Sequence, residues 1–202
     1  MRYSLFVIIL ITFFCNRLLS QNADINLLKS INLNRNKDFD GAFRIITNSA
    51  APISIGCPLI MYGAGMIQKD STLKKNGIYI AESILSAVFI STALKYSINR
   101  ERPFVTYPYL EKVTSGGSPS FPSGHTSDAF ATATSLSIAF PKWYVIAPSY
   151  IWASAVGYSR LDLGVHYPSD VMAGALIGAG SAYFCYVANK WLLKRRINKN
   201  HN

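Results

Sequence analysis

The residues best equipped for chemistry fall into three short runs. The first runs from Lys95 to Pro103 and contains Arg100, Glu101 and Arg102. The second is Pro122-Ser123-Gly124-His125, and the third is Ser159-Arg160 followed by His166 and Asp170. Lys95, Arg102 and Arg160 have few acids near them in sequence, and cations brought together at the end of an apolar bundle need an anion. A phosphoryl group meets that need, with arginine binding its oxygens in forked geometry. Ser123 suits a helix N-cap and Gly124 permits close backbone approach, so the free amides of the helix that follows would face the same anion. Two imidazoles complete the set: one can attack phosphorus while the other donates a proton to the leaving oxygen. Asp170 stands four positions after His166, with Pro168 at a first helical turn, where a carboxylate can hold the imidazole in one tautomer and stabilise the cation formed on attack.

Singly, each run has a plain structural reading. A histidine near a helix start is usually a surface or satisfied core residue, a Lys or Arg at a span end is usually an anchor, and Pro-Ser-Gly is usually a turn. Their joint occurrence, in order, argues for a site. Arg100, Glu101 and Lys112 read as solvated loop charges. Glu82 and Asp128, inside apolar segments, have no assignable partner. No carboxylate cluster suggests a divalent metal, and no metal or cofactor is expected.

These runs must be carried by apolar elements. Half of the 202 residues are hydrophobic and only 15% are charged, against about 25% in soluble domains. That excludes a disordered chain and argues for burial in a core or in lipid. The net charge is +10, but the basic residues form no stripe interleaved with aromatics, so nucleic acid is not an expected partner. Cys15, Cys57 and Cys185 lack disulfide or metal-ligand patterning and read as small hydrophobes. Residues 1–20 read as a signal segment, with an uncleaved anchor as the alternative. Residues 21–44 form a polar lead-in, amphipathic or irregular. Five apolar segments follow, at 45–67, 77–94, 126–140, 143–158 and 171–189, within a bundle domain at 45–192, and a basic tail occupies 193–202. Pro52 and Pro58 predict a kink or break in the first segment. Gly174, Gly178 and Ser181 in the fifth suit close helix approach. The fold class is all-α, a bundle of about five core helices embedded in a membrane. Segments one, two and five are long enough to span and three and four are marginal, so a water-soluble bundle is the alternative. Two helices separate the second and third runs, which returns all three runs to one end of the bundle. Phe104 to Phe121 reads as a mobile lid over that end.

The three runs together resemble the type 2 phosphatidic acid phosphatase superfamily, whose pattern is K-x6-RP, PSGH and SR-x5-H-x3-D. Lys95 with Arg102-Pro103, Pro122 to His125, and Ser159-Arg160 with His166 and Asp170 match it throughout. The resemblance implies metal-independent hydrolysis of a phosphate ester through a phosphohistidine. His166 would be the nucleophile, Asp170 would orient it, and His125 would protonate the leaving group and then activate water. Lys95, Arg102, Arg160, Ser123 and Gly124 would bind the phosphoryl oxygens. The expected substrate is a lipid phosphate monoester or pyrophosphate, and the expected setting an integral membrane protein with its site on the exported face. A soluble exported acid phosphatase, a lipid phosphotransferase, a vanadate-dependent haloperoxidase and a headgroup-binding scaffold are the competing readings.

Overall fold

The computed structural model describes residues 22–200, with side chains through Arg195, so the expected signal segment and the extreme tail lie outside the described residues. The chain is helical over 22–33 (α1), and a short 3-10 turn, Lys37–Phe39, leads into α2, Asp40–Asn48. The longer helices are α3 (Ala50–Ile67), α4 (Ser71–Ile98), α6 (Gly124–Ala139), α7 (Trp143–Asp162) and α8 (Pro168–Asn200), and the four-residue α5 is Pro103–Thr106. No strand occurs among the described residues.

The expected break in the first apolar segment falls at Ser49, between α2 and α3, while Pro58 sits inside α3. The second segment extends beyond its apolar run at both ends. Asp70 caps α4 by accepting from the Thr72 and Leu73 amides at 2.7 and 3.2 Å, and Asn99 ends it in the left-handed region at φ 48°. The added turns carry Lys74, Lys75 and Lys95, which an apolar count excludes but a helix end accommodates.

Helix α6 is the hub, packing against α3, α4, α7 and α8. It is built from small residues, and Ala129, Ala131, Thr132, Ala133 and Ser135 are fully buried. At 16 residues it is about 24 Å long, which explains its weak span signal. Gly174 and Gly178 let α8 lie directly against it. A Cβ on Gly174 would stand 2.5 Å from the Ser123 carbonyl oxygen, and one on Gly178 would strike the Ser127 carbonyl. The tighter contact of small residues replaces the hydrophobic drive that lipid cannot supply. Helix α4 runs antiparallel to α8, with the Tyr79 hydroxyl donating to the Ala182 carbonyl at 3.0 Å and Asn189 donating to Glu82 at 2.6 Å. Glu82 thus has the partner that its place in the sequence did not disclose.

Large apolar side chains point outward, among them Ile60, Ile67, Leu85, Phe89, Leu176 and Phe184. Three runs are long and apolar enough to cross a membrane, Lys37–Ile67, Ser71–Thr106 and Pro168–Arg195. Such a surface fits lipid and not water.

The lead-in is ordered around the site end of the bundle. Ile25 and Leu28 of α1 pack with Leu110, Leu161 and Tyr167. Asn32 donates to the Asp162 and Glu111 carbonyls at 2.8 and 3.0 Å. The 104–121 segment is fastened rather than free: Val113 N–H donates to the Leu163 carbonyl at 3.1 Å and Ser120 N–H to the Arg100 carbonyl at 2.7 Å. These bonds use up the backbone groups that a loose lid would leave to water.

Candidate active site

The C-terminal ends of α4 and α7 and the N-terminal ends of α6 and α8 meet at one end of the bundle, as the parity of the segments requires. Lys95 lies in the last turn of α4, Arg102 at the N-cap of α5, and Arg160 in the last turn of α7. His125 opens α6, and His166 sits in the connection between α7 and α8. The charges of Arg160, Arg102 and Lys95 all bear on the His125 ring. The fold thus gathers both histidines and the three cations.

His166 is 1% exposed and Asp170 fully buried. His166 Nδ1 faces Asp170 Oδ2 at 3.4 Å, and Arg102 Nη1 stands 3.2 Å from Nε2. Burial pushes the imidazole down to about 3, opposed by the Asp170 carboxylate and assisted by the Arg102 and Arg160 charges. The ring is thus neutral at physiological pH, as a nucleophile requires. Asp170 Oδ2 also accepts from the Tyr167 amide at 2.9 Å and from Ser120 Oγ at 2.5 Å.

The cations are anchored with donors to spare. Arg102 donates through Nε to the Ser118 carbonyl at 2.8 Å and through Nη1 to the Val165 carbonyl at 2.9 Å. Gly116 lies against this guanidinium: a Cβ there would be 2.8 Å from Nη1. Arg160 is 2% exposed, donates to Thr47 Oγ1 at 2.7 Å, and has an Nε with no partner within the protein. Lys95 Nζ donates to the Pro119 carbonyl at 2.8 Å, which leaves further ammonium protons for an anion.

Ser123 occupies the N-cap position of α6 but its side chain does not cap the helix. Its hydroxyl pairs instead with Thr126 Oγ1, one turn on, at 2.8 Å. The first amides of α6 beside Gly124 are thereby left without a side-chain cap, which suits an anion at a helix N-terminus.

Arg100 departs most from the sequence reading. It is not a solvated loop charge: Nη1 donates to Asp170 Oδ1 at 2.7 Å and Nη2 to Asp24 Oδ2 at 2.8 Å. Ser120 and Asp24 also belong to this group and were not singled out by their sequence. Lys112 and Glu101 are exposed, as expected.

The chain is similar to known proteins. A model of the PAP2 superfamily matches residues 76–194. The chain is 38% identical over 93 residues to a lipid A 4'-phosphatase of Bacteroides thetaiotaomicron, a match covering 46% of this chain and 41% of that protein. It is 37% identical over 110 residues to an undecaprenyl-diphosphatase of Sulfolobus acidocaldarius, covering 52% of each. The chain thus spans about half the length of the curated relatives it matches. Among solved structures, Aquifex aeolicus LpxE superposes with a TM-score of 0.70 at 26% identity, covering 81% of this chain and 94% of that one. A transmembrane PAP2-type phosphatidylglycerolphosphate phosphatase from Bacillus subtilis gives 0.71 at 25% identity, covering 85% and 87%. With more than half of the chain inside the family model, and with its apolar helices laid out as in transmembrane relatives, this protein belongs to the PAP2 superfamily and is an integral membrane protein.

Proposed function

We propose that the chain is a metal-independent phosphatase that hydrolyses a lipid phosphate monoester or pyrophosphate through a phosphohistidine. The observation that carries this reading is the alignment Asp170–His166–Arg102. A guanidinium can only donate, so the Nε2 lone pair of His166 is turned towards the cation cage and the Nδ1 proton towards Asp170. In the first step Nε2 attacks phosphorus and the bond from phosphorus to the leaving oxygen breaks; His125, whose cation is disfavoured by burial and by Arg160, Arg102 and Lys95 until a phosphoryl anion offsets those charges, then supplies a proton to that oxygen. In the second, His125 takes a proton from water, the water oxygen attacks, the P–N bond breaks and phosphate leaves. Lys95, Arg102, Arg160, Ser123 and the backbone amide of Gly124 hold the phosphoryl oxygens, and Asp170 offsets the charge that grows on His166.

Outward-facing apolar side chains support a lipid substrate over a soluble ester. The named relatives act on lipid A, undecaprenyl diphosphate and phosphatidylglycerolphosphate, each a phosphoryl group on a long apolar body. The site end lies on the exported face in this reading. Basic residues are as numerous at the site end as at the opposite end, so their total does not orient the chain; Lys194 and Arg195, directly after the last apolar run at the opposite end, are the positive-inside signal that favours the cytoplasmic side there. The deciding experiment is phosphate release from these three lipid phosphates by purified protein in detergent. Release that is vanadate-sensitive and persists in chelator supports the reading; release abolished by chelator contradicts it.

A further inference from the structure

The Asp170 carboxylate divides its work between two oxygens. Oδ2 serves His166, while Oδ1 accepts from Arg100 Nη1 at 2.7 Å. Arg100 is held from behind. Its Nη1 also donates to Ser169 Oγ at 2.7 Å, its Nη2 donates to Asp24 Oδ2 at 2.8 Å, and its plane lies 3.8 Å from the Tyr167 ring centroid. Asp24, from α1, is 7% exposed and accepts from the Ser169 amide at 2.8 Å. The result is a row in which imidazole, carboxylate, guanidinium and carboxylate follow one another, buried except at Arg100, whose side chain is 26% exposed.

Charges in such a row must balance, because a buried unpaired ion costs more than a single pair returns. Arg100 facing Asp170 alone would neutralise the carboxylate that the charged form of His166 needs. Asp24 occupies the other prong of Arg100, so Asp170 keeps its negative charge for the imidazole. Arg100 also fixes which carboxylate oxygen faces Nδ1. On the phosphohistidine reading given above, we propose that Arg100 and Asp24 are positioning residues acting through Asp170, and that α1 is a working part of the active site. Neither residue contacts the phosphoryl cage, so both act on the step in which His166 gains charge and not on substrate capture. Loss of either lowers kcat and leaves KM near its wild-type value.

The test is steady-state kinetics of the full chain in detergent with a lipid phosphate, for Asp24→Asn, Asp24→Glu and Arg100→Lys, with melting midpoints measured alongside. Residues that orient a metal-bound histidine from behind cost about 10- to 100-fold when removed, and by analogy a kcat loss of that size is expected for Asp24→Asn and Arg100→Lys, at unchanged KM. Asp24→Glu, which restores the charge, regains most of the loss. Should Asp24→Asn fail to fold, Arg100→Lys carries the same test, since lysine cannot bridge both carboxylates with a fork. Wild-type kcat in the folded variants, or a loss confined to KM, overturns the proposal. An inactive wild type would instead overturn the phosphatase reading itself, which keeps the two failures distinct.

Discussion

Arg102 Nη1 stands 3.2 Å from Nε2 of His166, and this contact fixes the tautomer of the ring. The donor can only be arginine, so the lone pair of Nε2 lies in the cation cage before any substrate arrives. On the proposed mechanism, an incoming phosphoryl oxygen would accept the Arg102 hydrogen bond while phosphorus meets the lone pair.

His125→Ala should lower kcat on a lipid phosphate by about a hundred- to ten-thousand-fold, the range for a lost general acid or base. The first step should suffer much less with an ester whose leaving group is a good one, such as a nitrophenolate. A burst of nitrophenolate followed by slow turnover is the expected trace. Equal losses on both substrates, with no burst, would remove His125 from the proton-transfer role.

Buried neutral His166 also makes stability depend on pH. The unfolded chain protonates this residue near 6.5, whereas the folded chain resists until about 3. Below 6.5 unfolding takes up a proton, so the stabilising contribution of the neutral ring is intact above that value and falls as pH falls, levelling off near 3. Melting midpoints in detergent should decline across this window, and His166→Asn should flatten the decline. Parallel curves for the two proteins would contradict the buried neutral state.

The contact of Gly116 with Arg102 gives a prediction away from the matched motifs. Alanine at 116 places a Cβ 2.8 Å from Nη1 of a guanidinium already tied to the Ser118 and Val165 carbonyls. The arginine must shift, and a shift near 1 Å can cost up to about a hundred-fold. Gly116→Ala should therefore lower kcat/KM by about ten- to a hundred-fold in a folded protein. Gly117→Ala, whose Cβ meets nothing within 4 Å, should leave it unchanged.

In the bundle, Gly178→Ala should destabilise by about 1–3 kcal/mol, because the clash is with the Ser127 and Ala131 backbone and no side chain can move aside. Gly180→Ala points into open space and should be neutral or slightly stabilising. Thermal unfolding of both variants in one detergent checks the pair. Equal midpoints would mean that α6 and α8 are not in the close contact described.

Much of this was legible in the chain itself, for a physical reason. Lys95 and Arg102, His125, and Arg160 with His166 and Asp170 sit in short runs whose spacing fixes their place at helix ends, so local sequence carries them. The glycines of α8 were legible as a packing stripe for the same reason. Arg100 was not, because its meaning lies in Asp24, 76 residues away. Helix α1 was obscure because its buried face includes Asp24 and Asn32 as well as Ile25 and Leu28. Polar residues on that face break the apolar stripe, and their partners at Ser169, Asp162 and Glu111 belong to distant parts of the chain.

The central claim is a covalent bond between phosphorus and Nε2 of His166. Brief exposure of the purified protein to a radiolabelled lipid phosphate, followed by denaturing quench, tests it directly. The account predicts label on the protein that survives alkali, is lost in acid, maps to His166 and is absent from His166→Asn. Rapid phosphate release by wild type with no labelled protein at any quench time, or label that persists in His166→Asn, would contradict it.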